Sequence, residues 1–193
     1  MSSKIHHYLL AIAGLVFLLF SPFIVGGRAP FGEDVTSFSI PIFKFYSEAL
    51  KSGQSFLWNP YIFSGFPTYL SQSGGFLDPL NRILFHFFDY LAAYNLRVFI
   101  NYLATAIFSF LLFRKFASDY AALFGSLIFI GGLNFNLGMS VSVSNSFWLL
   151  PALCFFLTGI SLTDFRARSY WFSVVISGIL FGLSLLGGLT QFV

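Results

Sequence analysis

YLLAIAGLVFLLFSPFIVG, residues 8–26, is the stretch whose reading decides the fold. It carries no charged side chain and is about as long as the ~20 apolar residues a helix needs to cross the hydrocarbon core of a bilayer. Lys4 stands just before it, and Pro22 is placed to loosen its outer end. A basic start and an apolar middle also describe a signal peptide, but no small-x-small cleavage site follows, so the run reads as a retained span. Four further apolar runs follow, at residues 96–113, 120–138, 147–163 and 171–193.

Composition points the same way. The 193 residues are 57% hydrophobic and 21% aromatic, and only 9% are charged. A soluble domain carries about 25% charged residues, so this chain cannot cover its surface with water-compatible groups. Lipid resolves that deficit. The net charge of +3 is small and dispersed, which excludes the basic footprint of a nucleic-acid binder. Cys154 is the single cysteine, so there is no intrachain disulfide and no thiolate metal cluster.

Basic residues in short loops orient the chain. Lys4 precedes the first run, Arg114 and Lys115 follow the second, and Arg166 and Arg168 follow the fourth. If the runs alternate in direction, all of these fall on one side, which is then cytoplasmic. Residues 139–146, uncharged, and the long stretch 27–95 fall on the other. The predicted architecture is an all-α, polytopic transmembrane bundle of five spans forming one membrane domain. Its N-terminus is cytoplasmic, and its long extracytoplasmic loop carries interfacial amphipathic helices. Trp58, Trp148 and Trp171 lie near expected membrane interfaces. Because Val193 ends a still-apolar run, the chain is expected to be the N-terminal part of a longer membrane protein.

The loop holds most of the chemistry. It opens with RAPFGED (28–34), which ends in the adjacent carboxylates Glu33 and Asp34. Residues 40–51 are predicted to be helical, with Pro41 in the first turn and Gly53 just past the end. Lys44, Glu48 and Lys51 recur on one face of that helix, and aromatic residues fill the rest. The expectation is a helix lying in the membrane interface with its aromatic side down. WNPYIFSGFPTY (58–69) and GGFLDPLN (74–81) follow, too rich in Pro and Gly for one helix and too aromatic for a disordered linker. Residues 80–91 are predicted to form a second interfacial helix, with Arg82, His86 and Asp89 along one face. A loop this long and this ordered is usually functional.

From the first span to about residue 95, and more loosely beyond, the chain resembles the YfhO-type bacterial membrane proteins of the GT-C glycosyltransferase class. The resemblance rests on one span, an acidic loop, an amphipathic helix, WNPYIFSGFP and GGFLDPLN. Asp78 departs from a position that is often aromatic in the family, and Leu189 stands where relatives often carry His. The resemblance implies transfer of a sugar from a polyprenyl-phosphate carrier to a cell-envelope glycan or protein acceptor outside a bacterial plasma membrane. It implies that an acid of the first outer loop acts as base or, in some members, as ligand to a divalent metal. No cofactor follows from the residues themselves, and the other partners expected are membrane lipids.

Asp34 is the match for that base, with Glu33 beside it. On its residues alone Asp34 reads equally as a helix cap or a solvated acid. Arg28, Trp58, Asn59, Tyr61 and Arg82 are the candidate substrate-binding residues, the arginines for a carrier phosphate and the aromatics for stacking on sugar rings. Arg97 is a further candidate for the phosphate. Headgroup snorkelling and interface anchoring compete as explanations for all of these. Two other functional classes stay open, a polytopic transporter or lipid flippase and a non-catalytic membrane subunit. A transporter would place ionisable residues within its spans. Here the acids gather in the outer loop, which favours surface chemistry.

Overall fold

The computed structural model describes residues 3–28, 35–68, 75–134, 141–161 and 168–186. Among them the chain is mostly helical. Helix α1 (Ser3–Ile24) leads to a π-helical turn (Val35–Ser39) and α2 (Ile40–Ser52). A two-stranded ribbon follows, β1 (Trp58–Asn59) with β2 (Phe66–Pro67), then α3 (Pro79–Phe87) and α4 (Tyr90–Phe113). Helices α5 (Asp119–Asn134), α6 (Val141–Ser161) and α7 (Arg168–Leu186) follow.

Among the described residues two helices are long and apolar enough to cross a bilayer, at Ile5–Ile24 and Tyr90–Phe113. α5, α6 and α7 contain shorter apolar stretches, Asp119–Gly132, Trp148–Ile160 and Arg168–Leu183. α4 is the hub. It packs on α6, α5 and α1 and reaches both α2 and α3, while α7 packs on α6. The contacts fix directions. Near the start of α1, Tyr8 meets Phe110 at the end of α4 and Tyr120 at the start of α5. Near the end of α1, Phe20 meets Tyr102 and Phe99. α1 and α4 are therefore antiparallel. Just beyond α4, the Lys115 ammonium donates to Phe155 O at 2.6 Å and Thr158 Oγ1 at 2.8 Å, so α4 and α6 run parallel with their C-terminal ends together.

The polypeptide between α1 and α4 packs its aromatics into the same core as those two helices. Phe43 stacks on Phe85 with ring centroids 4.8 Å apart and meets Phe76 and Tyr94. Tyr46 is fully buried among Phe56, Phe76 and Phe85 and donates its hydroxyl to Phe76 O at 2.8 Å. Ser47 Oγ donates to Phe85 O at 2.9 Å. Aromatic pairs of this kind add stabilisation beyond the area they bury.

α2 matches its expected bounds within a residue. Pro41 stands in its first turn, and Gly53 closes it in the left-handed conformation, its N–H returning to Ala49 O and Leu50 O. Its setting differs from the expectation. The aromatic face packs on α3, α4 and the Phe76 segment rather than lying on a membrane, because neighbouring aromatics within the chain satisfy it first. The predicted helix over 80–91 is also two pieces. α3 stops at Phe87, Phe88 is extended, and Asp89 caps α4 by accepting from Leu91 N at 3.1 Å. A good N-cap here outcompetes continuation of the helix. α4 thus starts at Tyr90 rather than 96, and α6 takes in residues 141–146, expected as loop.

The 58–69 motif is non-helical and ordered at residues 58–68, as expected, but it contains the ribbon, a small departure from the all-α class. Trp58 pairs with Pro67 and Asn59 with Phe66. Thr68 N donates to Leu57 O at 3.0 Å, and Thr68 Oγ1 donates to Phe56 O. The tip turns through Phe63 (φ 51), Ser64 (φ 60) and Gly65 (φ 111). A Cβ on Gly65 would lie 2.4 Å from the Trp58 ring. Gly65→Ala should therefore destabilise by about 1–3 kcal/mol through backbone strain alone, and should also shift Trp58 emission. Gly53→Ala, with open space around it, should cost about 1 kcal/mol. Thermal unfolding in detergent compares the two.

Burial holds the Tyr46 phenol well above its ordinary value of 10.0, against a smaller opposing pull from Arg82. A raised folded pKa contributes stability that is intact below pH ~10 and is lost as pH rises toward the folded value. Tyr46→Phe should cost about 1 kcal/mol near neutrality through the lost hydrogen bond. The gap to the wild type should close above pH ~10, measured as melting temperatures across an alkaline series.

Candidate functional site

The most constrained polar centre is where α3 begins against α4. Gly75 turns the chain (φ 55), and Asp78 N donates back to Gly75 O at 3.0 Å. Asp78 is then extended, and Pro79 sits in the first helical position, where its missing N–H costs nothing. Asp78 Oδ1 accepts from Leu80 N at 2.8 Å and Asn81 N at 3.4 Å, capping α3. Its other oxygen, Oδ2, accepts from Arg97 Nη2 at 2.5 Å. Asn81 Nδ2 donates to Gly75 O at 2.9 Å and closes the turn.

Arg97 lies about two turns into α4, and its side chain is 2% exposed. It is the one charged residue between Tyr90 and Phe113. Isolated burial of a guanidinium is costly, and the carboxylate beside it makes it tolerable. Two residues earlier, Asn95 faces another neighbour. Its Nδ2 donates to Phe23 O and to Arg28 O, both at 3.0 Å. One turn of α4 thus grips the end of α1 with Asn95 and the start of α3 with Arg97.

Beside the ion pair lies a cavity of about 160 Å³. Asp78, Pro79 and Leu80 line it from α3, Arg97 from α4, Trp148 and Leu149 from α6, and Leu183 from α7. Two buried donors there, Arg97 Nε and Trp148 Nε1, have no partner among the described residues. Buried polar atoms are satisfied in the great majority of cases, so such a pair calls for an explanation.

The residues singled out from sequence lie elsewhere. Glu33 and Asp34 fall outside the described residues, but their flanks are anchored: Arg28 O by Asn95, and Val35 by burial in the main core. The Arg28 side chain is exposed. Asn59 is buried and committed to its own turn, its Oδ1 accepting from Tyr61 N at 2.9 Å. Trp58 and Tyr61 are exposed, Tyr61 touching Phe45 edge-on. Arg82 is exposed with its guanidinium over the Phe56 ring. None of these five lines the cavity. Among the described residues no three acids, histidines or cysteines gather as metal ligands.

From sequence Asp78 stands out only as a family departure, yet two signals mark the pair. An Asp-Pro step ahead of an apolar run is a helix start, and a single arginine inside an otherwise uncharged span asks for a partner. No family model, curated protein or solved structure matches the chain.

Asp78→Asn keeps a capping oxygen but removes the charge, leaving Arg97 buried and unpaired. It should lower stability by about 3–5 kcal/mol, read by thermal unfolding in detergent. Adding Arg97→Met should recover part of that loss, because no lone charge then remains. If Asp78→Asn alone melts like the wild type, the pair does not hold α3 to α4.

Proposed function

We propose that the chain is a polytopic integral membrane protein of the bacterial plasma membrane, acting outside it as a GT-C-like glycosyltransferase. In this reading α5, α6 and α7 join α1 and α4 in the bilayer. Arg114, Lys115 and Arg168 lie at the cytoplasmic ends, and the 27–95 loop lies outside. Support comes from burial. Only 17% of the apolar window of α1 is buried within the protein, whereas the core helix of a soluble protein would be mostly covered. Leu10, Leu18, Phe124, Ile128 and Ile179 likewise stand exposed, as lipid-facing side chains would.

The observation that carries the catalytic reading is the anchoring of Arg28 and Val35, the residues that flank the acidic segment. Asn95 fixes the carbonyl of Arg28 and Val35 is buried in the core, so the residues on either side of 29–34 are both held. Catalytic carboxylates work best on loops positioned by a rigid scaffold. The donor is a sugar on polyprenyl phosphate. The acceptor hydroxyl attacks the anomeric carbon, forming a new C–O bond. The bond from that carbon to the phosphate oxygen breaks, and its electron pair leaves with the lipid phosphate. The hydroxyl proton passes to the Asp34 carboxylate, with inversion at the sugar carbon. A transporter is disfavoured by the position of Arg97. This ionisable residue is close to the outer end of its helix and is paired with the loop.

The test expresses the open reading frame that encodes this chain as wild type and as Asp34→Asn, in membranes supplied with polyprenyl-phosphate-linked sugars. Equal insertion is checked first. Transfer should fall by about 10²–10⁴-fold in the variant, the range for loss of a general base. Wild-type transfer by Asp34→Asn would remove Asp34 from catalysis. No transfer by either protein from any donor would favour the transporter or subunit reading.

A further inference from the structure

We propose that the cavity beside Arg97 is a binding site for an amphiphile with an uncharged, hydroxylated head, whose oxygens accept from Arg97 Nε and Trp148 Nε1. This goes beyond the transfer reaction and does not depend on Asp34.

Three features set the ligand class. The first is the pair of unpartnered donors. Arg97 is almost completely buried, and both it and Trp148 line the same space. Donors without acceptors select an oxygen-bearing group. The second is charge. Arg97 is already neutralised by Asp78 at 2.5 Å, and no other basic residue lines the cavity among the described residues. A phosphate or carboxylate entering here would leave a net negative charge buried and uncompensated. An uncharged hydroxyl would not. The third is the wall. Leu149 and Leu183 line the remainder, and a volume near 160 Å³ is about ten times what one water needs. Waters filling it would find few polar partners. A glycerol or sugar head fits, with its tail following the apolar helices α6 and α7.

The experiment uses the full chain in phosphatidylcholine nanodiscs, with Trp58→Phe and Trp171→Phe so that Trp148 is the single tryptophan. The probe is a 1-acylglycerol brominated near the head of its chain, which quenches tryptophan fluorescence at short range. Quenching should be saturable. It should weaken about tenfold in Arg97→Lys, which keeps the charge beside Asp78 but loses the Nε donor. Leu183→Phe, which fills the cavity without touching the ion pair, should abolish the saturable phase; it keeps the test valid if Arg97→Lys folds poorly. Octyl glucoside should compete, which extends the head to sugars, whereas competition by octylglycerol alone restricts the site to glycerol lipids. Free glycerol should fail to compete at the same concentration, because it lacks the tail. Non-saturable quenching, equal in all variants, would overturn the proposal and leave a water-filled space. Tighter competition by octyl phosphate than by both uncharged heads would overturn the choice of an uncharged ligand.

Discussion

The contact between Asp78 and Arg97 is the constraint on which the rest of the loop depends. A guanidinium buried two turns into an apolar helix has few tolerable environments. Here a single carboxylate provides one and at the same time starts the next helix, since one oxygen of Asp78 caps α3 while the other meets Arg97. The position of α3 on α4 is thereby set by charge, and the side chains then pack around that position. With α3 fixed, Phe85 is presented to Phe43, Ser47 reaches the Phe85 carbonyl, and α2 is held against both. Were the pair absent, the aromatic faces would still favour burial, but hydrophobic contact has no direction and would not choose one register.

This division of labour explains the unusual aromatic content. Some rings of the loop are buried in the core shared with α1 and α4, as Phe43, Tyr46, Phe76 and Phe85 are. Others stand outward on the helices, as Phe17, Phe124 and Phe172 do. The same residue type serves opposite surroundings, and composition alone cannot separate them. What separates them is the polar framework. In the loop, Tyr46 donates to the Phe76 carbonyl and Ser47 to the Phe85 carbonyl, which fixes the backbone that carries those rings.

That distinction marks how far the sequence could be read. Local signals were reliable. Pro41 and Gly53 framed α2 because each acts through its own backbone. Long apolar runs located α1 and most of α4 because length and apolarity are counted directly. The aromatic face of α2 was misplaced because a face that wants burial is the same whether lipid or protein buries it. The break at Phe88 was hidden because Arg82, His86 and Asp89 continue a helical period across it, and periodicity does not register a cap. The ribbon at Trp58 and Phe66 escaped notice because its strands are two residues long, below any alternating pattern. The ion pair was missed for a different reason. Asp78 and Arg97 are 19 residues apart, and each was judged alone, as a local variation and as one more arginine near a headgroup. Pairing is a property of the fold, and only the demand of a buried charge for a partner would have linked them.

α4 joins the two regions of interest. Its Asn95 holds the carbonyl that leads into the acidic segment, and its Arg97 lines the cavity. Residues two apart on a helix point to nearly opposite sides, so these contacts lie on different flanks of one turn. A rotation of that turn would loosen one grip as it tightened the other. A rigid start to α4 keeps both, and it has reasons to be rigid: Asp89 caps it, Ala93, Tyr94 and Val98 are buried along it, and the charge at Arg97 resists any motion that parts it from Asp78. The start of α4 therefore acts as a single support, for the Arg28 carbonyl on one flank and for the cavity wall on the other.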